Sequence, residues 1–336
     1  MNKKDYIIAT LGSHTALQIL KGAKQEGFKT LIITLADRVN FYKQYPFIDD
    51  FITIASYKHF SKIEKKLIDR NVILIPHGSF VAHLGLERNR KMKTQYFGNK
   101  KVLDWEGDRK KQYFWMEKAG INTPRRFKKG DKIDRPVIVK SFGADGGKGY
   151  FVGKNQKDFD RKLAKFIPEK FLVQEYVVGV PIYIHYFYSP LTGKIEIMSA
   201  DKRYETNADS LGRMPLSYQT AALDPSFVVV GNIQVTLRES LLPEALAMAE
   251  RVVKTSKKII DKRGLFGPFC LETIVTPELK FYVIEISCRI VAGTNLFISS
   301  SPYADLLYDE PMSTGRRIAR EIKLAIKAKK LNEILN

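Results

Sequence analysis

Two lysines and two glutamates are the residues of this chain whose types and spacing can do chemistry. Residues 136–151 read PVIVKSFGADGGKGYF, an apolar strand that ends in Lys140 and runs into four glycines threaded by Lys148. A strand that delivers an ammonium into a flexible loop, whose backbone N–H groups can fold around an anion, suits a nucleotide triphosphate. The loop is neither G-x-x-x-x-G-K-[ST], since Gly149 follows Lys148, nor G-x-G-x-x-G. On its own it is either an anion cradle or a glycine-rich hairpin turn with a solvated lysine.

The carboxylates lie further on, in GPFCLETIVTPELKFYVIEIS, which reads as two strands joined around Pro277 and Glu278. If the hairpin turns at the middle of residues 277–280, Glu272 and Glu285 face each other across it, with Cβ atoms about 4.5–5.5 Å apart. Both are embedded in apolar neighbours, where an uncompensated carboxylate is costly. A divalent cation resolves the repulsion and the burial together, and Mg²⁺ characteristically takes one or two carboxylates plus water and phosphate oxygens. Arg289, just beyond, is then near those phosphates.

These groups need elements to hold them. A strand over residues 6–10, a helix carrying Ala16, Leu17, Ile19, Leu20 and Ala23, the stop at Gly27 and a strand over 30–33 make an opening βαβ unit, whose first turn holds Gly12, Ser13 and His14. A helix over 59–70 leads to a strand over 72–75, then Pro76, His77, Gly78 and Ser79. Ligands bind beyond the carboxyl ends of parallel strands, so His14 and Ser79 converge on one crevice; the alternative is that each merely caps its own helix. The aromatic stripe of Trp105, Tyr113, Phe114, Trp115 and Met116 reads as core, and a second domain starts near Asp104. Residues 171–177 form a strand whose backbone edge can pair with an adenine.

Composition narrows the classes. The 336 residues suffice for two or three domains, and 44% hydrophobic with 27% charged residues is ordinary for a soluble protein. No apolar run approaches the roughly 20 residues of a membrane span, and the start lacks a signal peptide's apolar region, so a cytoplasmic location is expected. Cys270 and Cys288 read as buried core residues rather than a disulfide or a zinc site. The net charge of +20 comes from lysines scattered over many helix surfaces, which argues for a basic surface attractive to phosphorylated metabolites and against a nucleic-acid footprint.

Taken in order, Lys140, the GADGGKG loop, QEYV at 174–177, Glu272 and EISCR ending at Arg289 resemble the ATP-grasp superfamily. Longer segments, among them LGSHTALQILKGAKQEGF, HGSFVAHLG, QEYVVGVPIYIHYFYS, GNIQVTLRESLL and EISCRIVAGTN, resemble the archaeal formate-dependent FAICAR synthetase (PurP) family. The resemblance implies a mixed α/β and α+β fold, with a Rossmann-like pre-ATP-grasp domain over 1–103 and an ATP-grasp domain over 104–336 that carries a lid at about 122–178. It implies a ligase that formylates AICAR to FAICAR with ATP and formate through formyl phosphate.

Residue by residue, the resemblance implies that Lys140, Lys148, Gly146 and Gly147 hold the phosphates and that Gln174, Glu175, Val177 and Glu205 bind ATP. AICAR contacts fall on His14, Ser79 and Asn232, Mg²⁺ or Mn²⁺ on Glu272 and Glu285, and catalysis on Arg289 with Lys140 and Lys148. Two departures are Ser287, where many relatives carry an Asn metal ligand, and Asp145, where a basic residue is usual. A paralogous ATP-grasp ligase with another acceptor, a nucleotide sensor and a nucleic-acid binder are the competing classes. Symmetric self-association is the default expectation.

Overall fold

Alternation and burial explain the sheets. In the computed structural model, which describes residues 6–128, 130–141, 150–166, 171–205 and 229–336, the first sheet is built from β1 (Ile7–Leu11), β2 (Lys29–Leu35), β3 (Asp50–Ile54), β4 (Val72–Leu74) and β5 (Gln95–Tyr96). Its order is β3-β2-β1-β4-β5 with every pair parallel. β1 and β4 are nearly continuous apolar runs because both faces of a parallel sheet are covered. The Ala16–Gln25 helix follows β1, and Gly27, at φ +79°, turns the chain into β2. The helix expected over 59–70 is broken: a 3-10 segment, Tyr57–Lys62, precedes an α-helix at Glu64–Asp69.

The second sheet comprises β6 (Arg126–Phe127), β7 (Val137–Ser141), β8 (Tyr150–Gly153) and β9 (Phe171–Glu175), in antiparallel order β6-β9-β7-β8. It closes over a small core of its own around Val137, Val139, Phe151, Phe159 and Val173.

The third sheet is antiparallel, in order β12-β11-β10-β13-β14, from β10 (Val180–Tyr188), β11 (Ile195–Glu205), β12 (Val229–Gln234), β13 (Gly267–Val275) and β14 (Phe281–Ser287). One face of it, with Ile182, Ile184, Ala200, Leu271 and Ile286, is buried in the largest core together with the Leu242–Ile259 helix. Tyr186 fixes that packing by donating to the Ala245 carbonyl at 2.9 Å. Trp115 is fully buried in the same core, whereas Phe114 is exposed. Among the described residues no helix is long and apolar enough to cross a membrane.

The first sheet and the last helix are joined by a close crossing. The Ala16–Gln25 and Thr314–Ala328 helices meet at Gly22 and Gly315: a Cβ on Gly22 would lie 2.2 Å from the Arg316 nitrogen, and one on Gly315 would lie 2.3 Å from the Gln18 carbonyl oxygen. Gln18 Oε1 accepts the Gly315 N–H at 2.9 Å, and Arg316, Arg320 and Lys323 all converge on the buried Glu26.

Helix propensity alone favours Ala over Gly by about 1 kcal/mol, yet the backbone contact has no side chain to yield. Gly22→Ala is therefore expected to destabilise the protein by about 1–3 kcal/mol, read as a lowered denaturant midpoint with an unchanged slope. A midpoint at or above that of the parent protein would mean that the helices do not cross this closely.

Candidate active site

The exposed chemistry of the third sheet follows from register. Opposed residues of an antiparallel pair share a face. Asn232 pairs with Arg203, Asp201 with Tyr183, Tyr183 with Glu272 and Glu272 with Glu285, so this row crosses all five strands on the face opposite the apolar core. The expected opposition of Glu272 and Glu285 is observed. A bulge immediately after it, leaving Ile284 without an opposite residue, shifts Val283 onto Thr273.

Glu272 is compensated in part by the protein itself. Arg203 donates to its Oε1 at 2.9 Å and Ser287 Oγ donates to the same oxygen at 3.1 Å. Arg203 is itself held with its guanidinium 3.9 Å from the centre of the Tyr183 ring. Among the described residues Oε2 takes no such bond, which leaves it for a cation. Glu285 stays partly protonated to higher pH than an ordinary carboxyl, because burial and then the Glu272 charge disfavour its ionised form, against Arg109 and Arg203. Burial and Arg109 lower the pKa of Lys140, against the pull of Glu285 and Glu272; β7 thus brings its ammonium into the field of both carboxylates.

Among the described residues no group of three or more His, Cys, Asp or Glu is arranged to hold a metal; Glu272 and Glu285 are a pair. Two carboxylates and a hydroxyl fit a hard divalent ion that draws its remaining ligands from nucleotide oxygens and water.

Arg289 leaves the end of β14 and pairs with Glu106 at 2.8 Å. The second oxygen of Glu106 accepts the Cys288 N–H at 2.7 Å, and Gln112 accepts the Ile286 N–H at 3.1 Å while donating to the Glu106 carbonyl at 2.6 Å. Burial raises the pKa of Glu106, with Arg289 opposing. The exit of β14 is thereby braced by the two helices Lys100–Glu106 and Arg109–Lys118.

The strand ends of the first sheet supply the other wall. His77 forms a parallel bridge with Ile290, which carries Arg289 to the crevice. Its Nε2–H donates to the Leu11 carbonyl at 3.0 Å and its Nδ1 accepts the Ser79 N–H at 3.2 Å, so both nitrogens are satisfied in the neutral ring. His14, with φ +53°, stacks on it at 5.3 Å between centroids and 3° between planes. Gly78 makes room for this: a Cβ there would lie 2.8 Å from His14 Nε2. The crowded walls, His77, and the Arg289 and Arg203 charges push the His14 imidazole far below its ordinary pKa, although its ring edge is open to solvent.

His14 is not a helix cap, and Ser79 stands at a cap position without capping through its side chain. Thr15 is the cap residue before the Ala16–Gln25 helix, and the Ser79 side chain makes no cap bond to the turn that follows. Asn232 is on β12, not at a helix end, and donates to Asp201 Oδ2 at 2.6 Å.

At the end of β9, Gln174 is buried, and the Glu175 carboxylate accepts from the Arg125 N–H and the Arg135 guanidinium, each at 3.2 Å. Val177 is half-buried just beyond the strand. Glu205, at the end of β11, adds to the burial that raises the pKa of Tyr176, which puts it near this hinge. Asp145, Gly146, Gly147 and Lys148 lie outside the described residues. The residues that sequence reasoning missed are Arg203, Glu106, Arg109 and Asp201. Strand alternation over β11 groups Asp201 with Arg203; nothing local marks Glu106 or Arg109.

Comparison with known proteins bears on the fold and the family. Residues 8–127 match a family described as a protein of unknown function (DUF1246), and 155–336 match a domain of unknown function (DUF1297). An N5-carboxyaminoimidazole ribonucleotide synthetase solved with ADP has the same fold, with a TM-score of 0.68 at 15% identity over 96% of this chain and 78% of its own. A parallel sheet followed by two antiparallel sheets is the fold of an ATP-grasp ligase.

A 5-formaminoimidazole-4-carboxamide-1-(beta)-D-ribofuranosyl 5'-monophosphate synthetase of Pyrococcus horikoshii is 52% identical over 98% of this chain and 99% of its own. The crystal structure of an IMP biosynthesis protein PurP from Thermococcus kodakaraensis superposes with a TM-score of 0.80 at 31% identity, covering 98% of this chain and all of that one. The chain belongs to the FAICAR synthetase (PurP) family.

The buried His77 makes stability depend on pH. Burial, with Arg289 and His83 adding to it against the Leu11 hydrogen bond, lowers its pKa from 6.5 to about 3. Below pH 6.5 the unfolded chain takes up a proton that the native ring refuses. Stability is therefore complete above that value and falls by up to about 1.4 kcal/mol per pH unit as pH drops toward 3. Denaturant titrations at pH 7, 6 and 5 should show a shallower loss for His77→Gln than for the parent protein. Equal slopes would contradict a neutral buried His77.

Proposed function

We propose that this chain joins formate to the amine of AICAR at the expense of ATP, yielding FAICAR, ADP and phosphate. The observation that carries the proposal is the Glu272 and Glu285 pair, overlooked by Lys140 and connected through Arg289, Ile290 and His77 to the His14 crevice. Read as a nucleotide site and an acceptor crevice, the two adjoin, as transfer of an activated group between two substrates requires.

The roles are those that the family resemblance implies, supported for the described residues by their position. Lys140, with Lys148, Gly146 and Gly147 from the glycine loop, holds the triphosphate, while Gln174, Glu175 and Val177 line the adenine and Glu205 adds a further ATP contact. Glu272 and Glu285 hold the divalent ion, which when bound screens phosphate charge and polarises the transferred phosphoryl group. A formate oxygen forms a bond to the γ-phosphorus as the bond to ADP breaks, with Lys140, Lys148 and Arg289 offsetting charge. AICAR lies against His14, Ser79 and Asn232. Its amine attacks the formyl carbon, phosphate departs, and the nitrogen loses a proton.

In this reading residues 1–103 are the nucleotide-acceptor domain and 104–336 the ATP-grasp domain with its lid at about 122–178. The enzyme works in the cytoplasm as a symmetric oligomer. The basic surface favours capture of two phosphorylated substrates.

Glu285→Gln keeps size and removes charge, so turnover should fall roughly 10²-fold or more while AICAR binding, followed by calorimetry, stays within about twofold. Undiminished turnover would remove the ion from this pair. In the parent protein, FAICAR formation followed by chromatography should require formate, AICAR and ATP together. ADP release that is indifferent to both formate and AICAR would reject the proposed reaction.

A further inference from the structure

The amide of Asn232 is held by a buried carboxylate that plays no part in the chemistry above. Asp201 is 1% exposed, and its two oxygens have different partners: Oδ1 meets His185 Nε2 at 2.5 Å and Oδ2 meets Asn232 Nδ2 at 2.6 Å. His185 is likewise buried, and among the described residues its Nδ1 has no partner. A proton on Nδ1 would be a buried donor without an acceptor, so the ring carries its proton on Nε2 and donates to Asp201. The third side of the carboxylate is closed by Gly293, where a Cβ would stand 1.9 Å from Oδ1.

A carboxylate only accepts hydrogen bonds, and an asparagine amide has one donating and one accepting end. With its nitrogen bound to Asp201, Asn232 must present its oxygen away from it. Asn232 is half-buried on β12, opposite Arg203 on the face that carries the site, and among the described residues its oxygen takes no hydrogen bond. The loop that carries Gly293 also reaches the first sheet, where Asn295 Nδ2 donates to the His14 carbonyl at 3.3 Å.

We infer that Asp201, braced by His185, is a positioning residue that fixes the Asn232 amide with its carbonyl oxygen toward the acceptor crevice, and so selects a nucleotide whose base carries an N–H donor. The inference rests on the proposed AICAR reading and adds to it the polarity of one contact and the residue that sets it. An amide at position 201 presents either end to Asn232, so Asp201→Asn releases the constraint at almost no change in volume.

The test is a double-mutant cycle over Asp201→Asn and Asn232→Ala, with KM measured for AICAR and for ATP and the thermal midpoint recorded for each variant. Each single change should raise the AICAR KM roughly tenfold or more, the cost of a hydrogen bond to a charged or oriented group, while the ATP KM stays within about twofold. In the Asn232→Ala background Asp201→Asn should add nothing further to the AICAR KM. Equal effects of Asp201→Asn with and without Asn232, or a matching rise in the ATP KM, would overturn positioning in favour of a purely structural role. Should Asp201→Asn fail to fold, Asn232→Ala still decides, because an unchanged AICAR KM there overturns the inference. Absence of AICAR turnover in the parent protein would overturn the functional reading and this inference together, whereas turnover with additive variants overturns only the latter.

Discussion

Two like charges facing each other across a β-hairpin are the constraint around which this molecule is arranged. Unit charges about 5 Å apart at an effective dielectric of ~20 repel by about 3 kcal/mol, a large part of the marginal stability of a folded domain. The charges that oppose the repulsion come from separate parts of the chain: Arg203 from β11, Arg109 from the helix after the first sheet, and Lys140 from the second sheet. Arg203 neutralises one carboxylate by direct contact, and Glu285 answers with a raised pKa. The pair therefore recruits cations from all around it, and the proposed site for a polyanion with its counter-ion lies where those cations converge.

That site is useful only if it keeps a fixed relation to the crevice at the strand ends of the first sheet. Three contacts hold the two together. His77 bridges to Ile290, Glu106 binds both Arg289 and the backbone one residue earlier, and the Ala16–Gln25 helix crosses the Thr314–Ala328 helix at two glycines. The largest core reflects the same union, since Ile8, Ile19 and Ile73 share it with Leu271, Ile286 and Ile322. The chain end takes part as well: Asn336 and Tyr96 exchange backbone hydrogen bonds at 2.8 and 3.2 Å along the edge strand β5.

The parts of this arrangement legible in the sequence are those set by local pattern. Apolar runs and Gly27 reveal the opening βαβ unit, and a hairpin centred within residues 277–280 is enough to oppose Glu272 and Glu285. The bulge at Ile284 was not legible, because it is decided by packing on both strands rather than by a turn residue. Arg203 was visible only as a neighbour of Glu205; its bond to Glu272 spans 69 residues and follows from two successive strand pairings, β11 on β10 and β10 on β13. Glu106 is harder still, a lone acid beside Trp105 whose partners are 182 and 183 residues away. The break in the helix expected over 59–70 shows the converse, a clear periodicity overridden where Tyr57 turns inward to donate to the Gly12 carbonyl at 2.8 Å.

The net charge of +20 also acquires a physical meaning. Five of the acids, Glu26, Glu106, Asp201, Glu272 and Glu321, are buried, and each is engaged by a cation or a hydrogen-bond donor. A buried ion pair adds little net stability relative to well-packed apolar residues, but removing one partner is severe. These acids therefore act chiefly by fixing where particular arginines point. Arg203 and Arg289 are held in place by Glu272 and Glu106, while Arg316 and Arg320 are drawn into the helix crossing by Glu26. The buried acids are largely offset by the arginines they hold, so the excess positive charge resides mainly in the scattered surface lysines, whose summed field attracts anions.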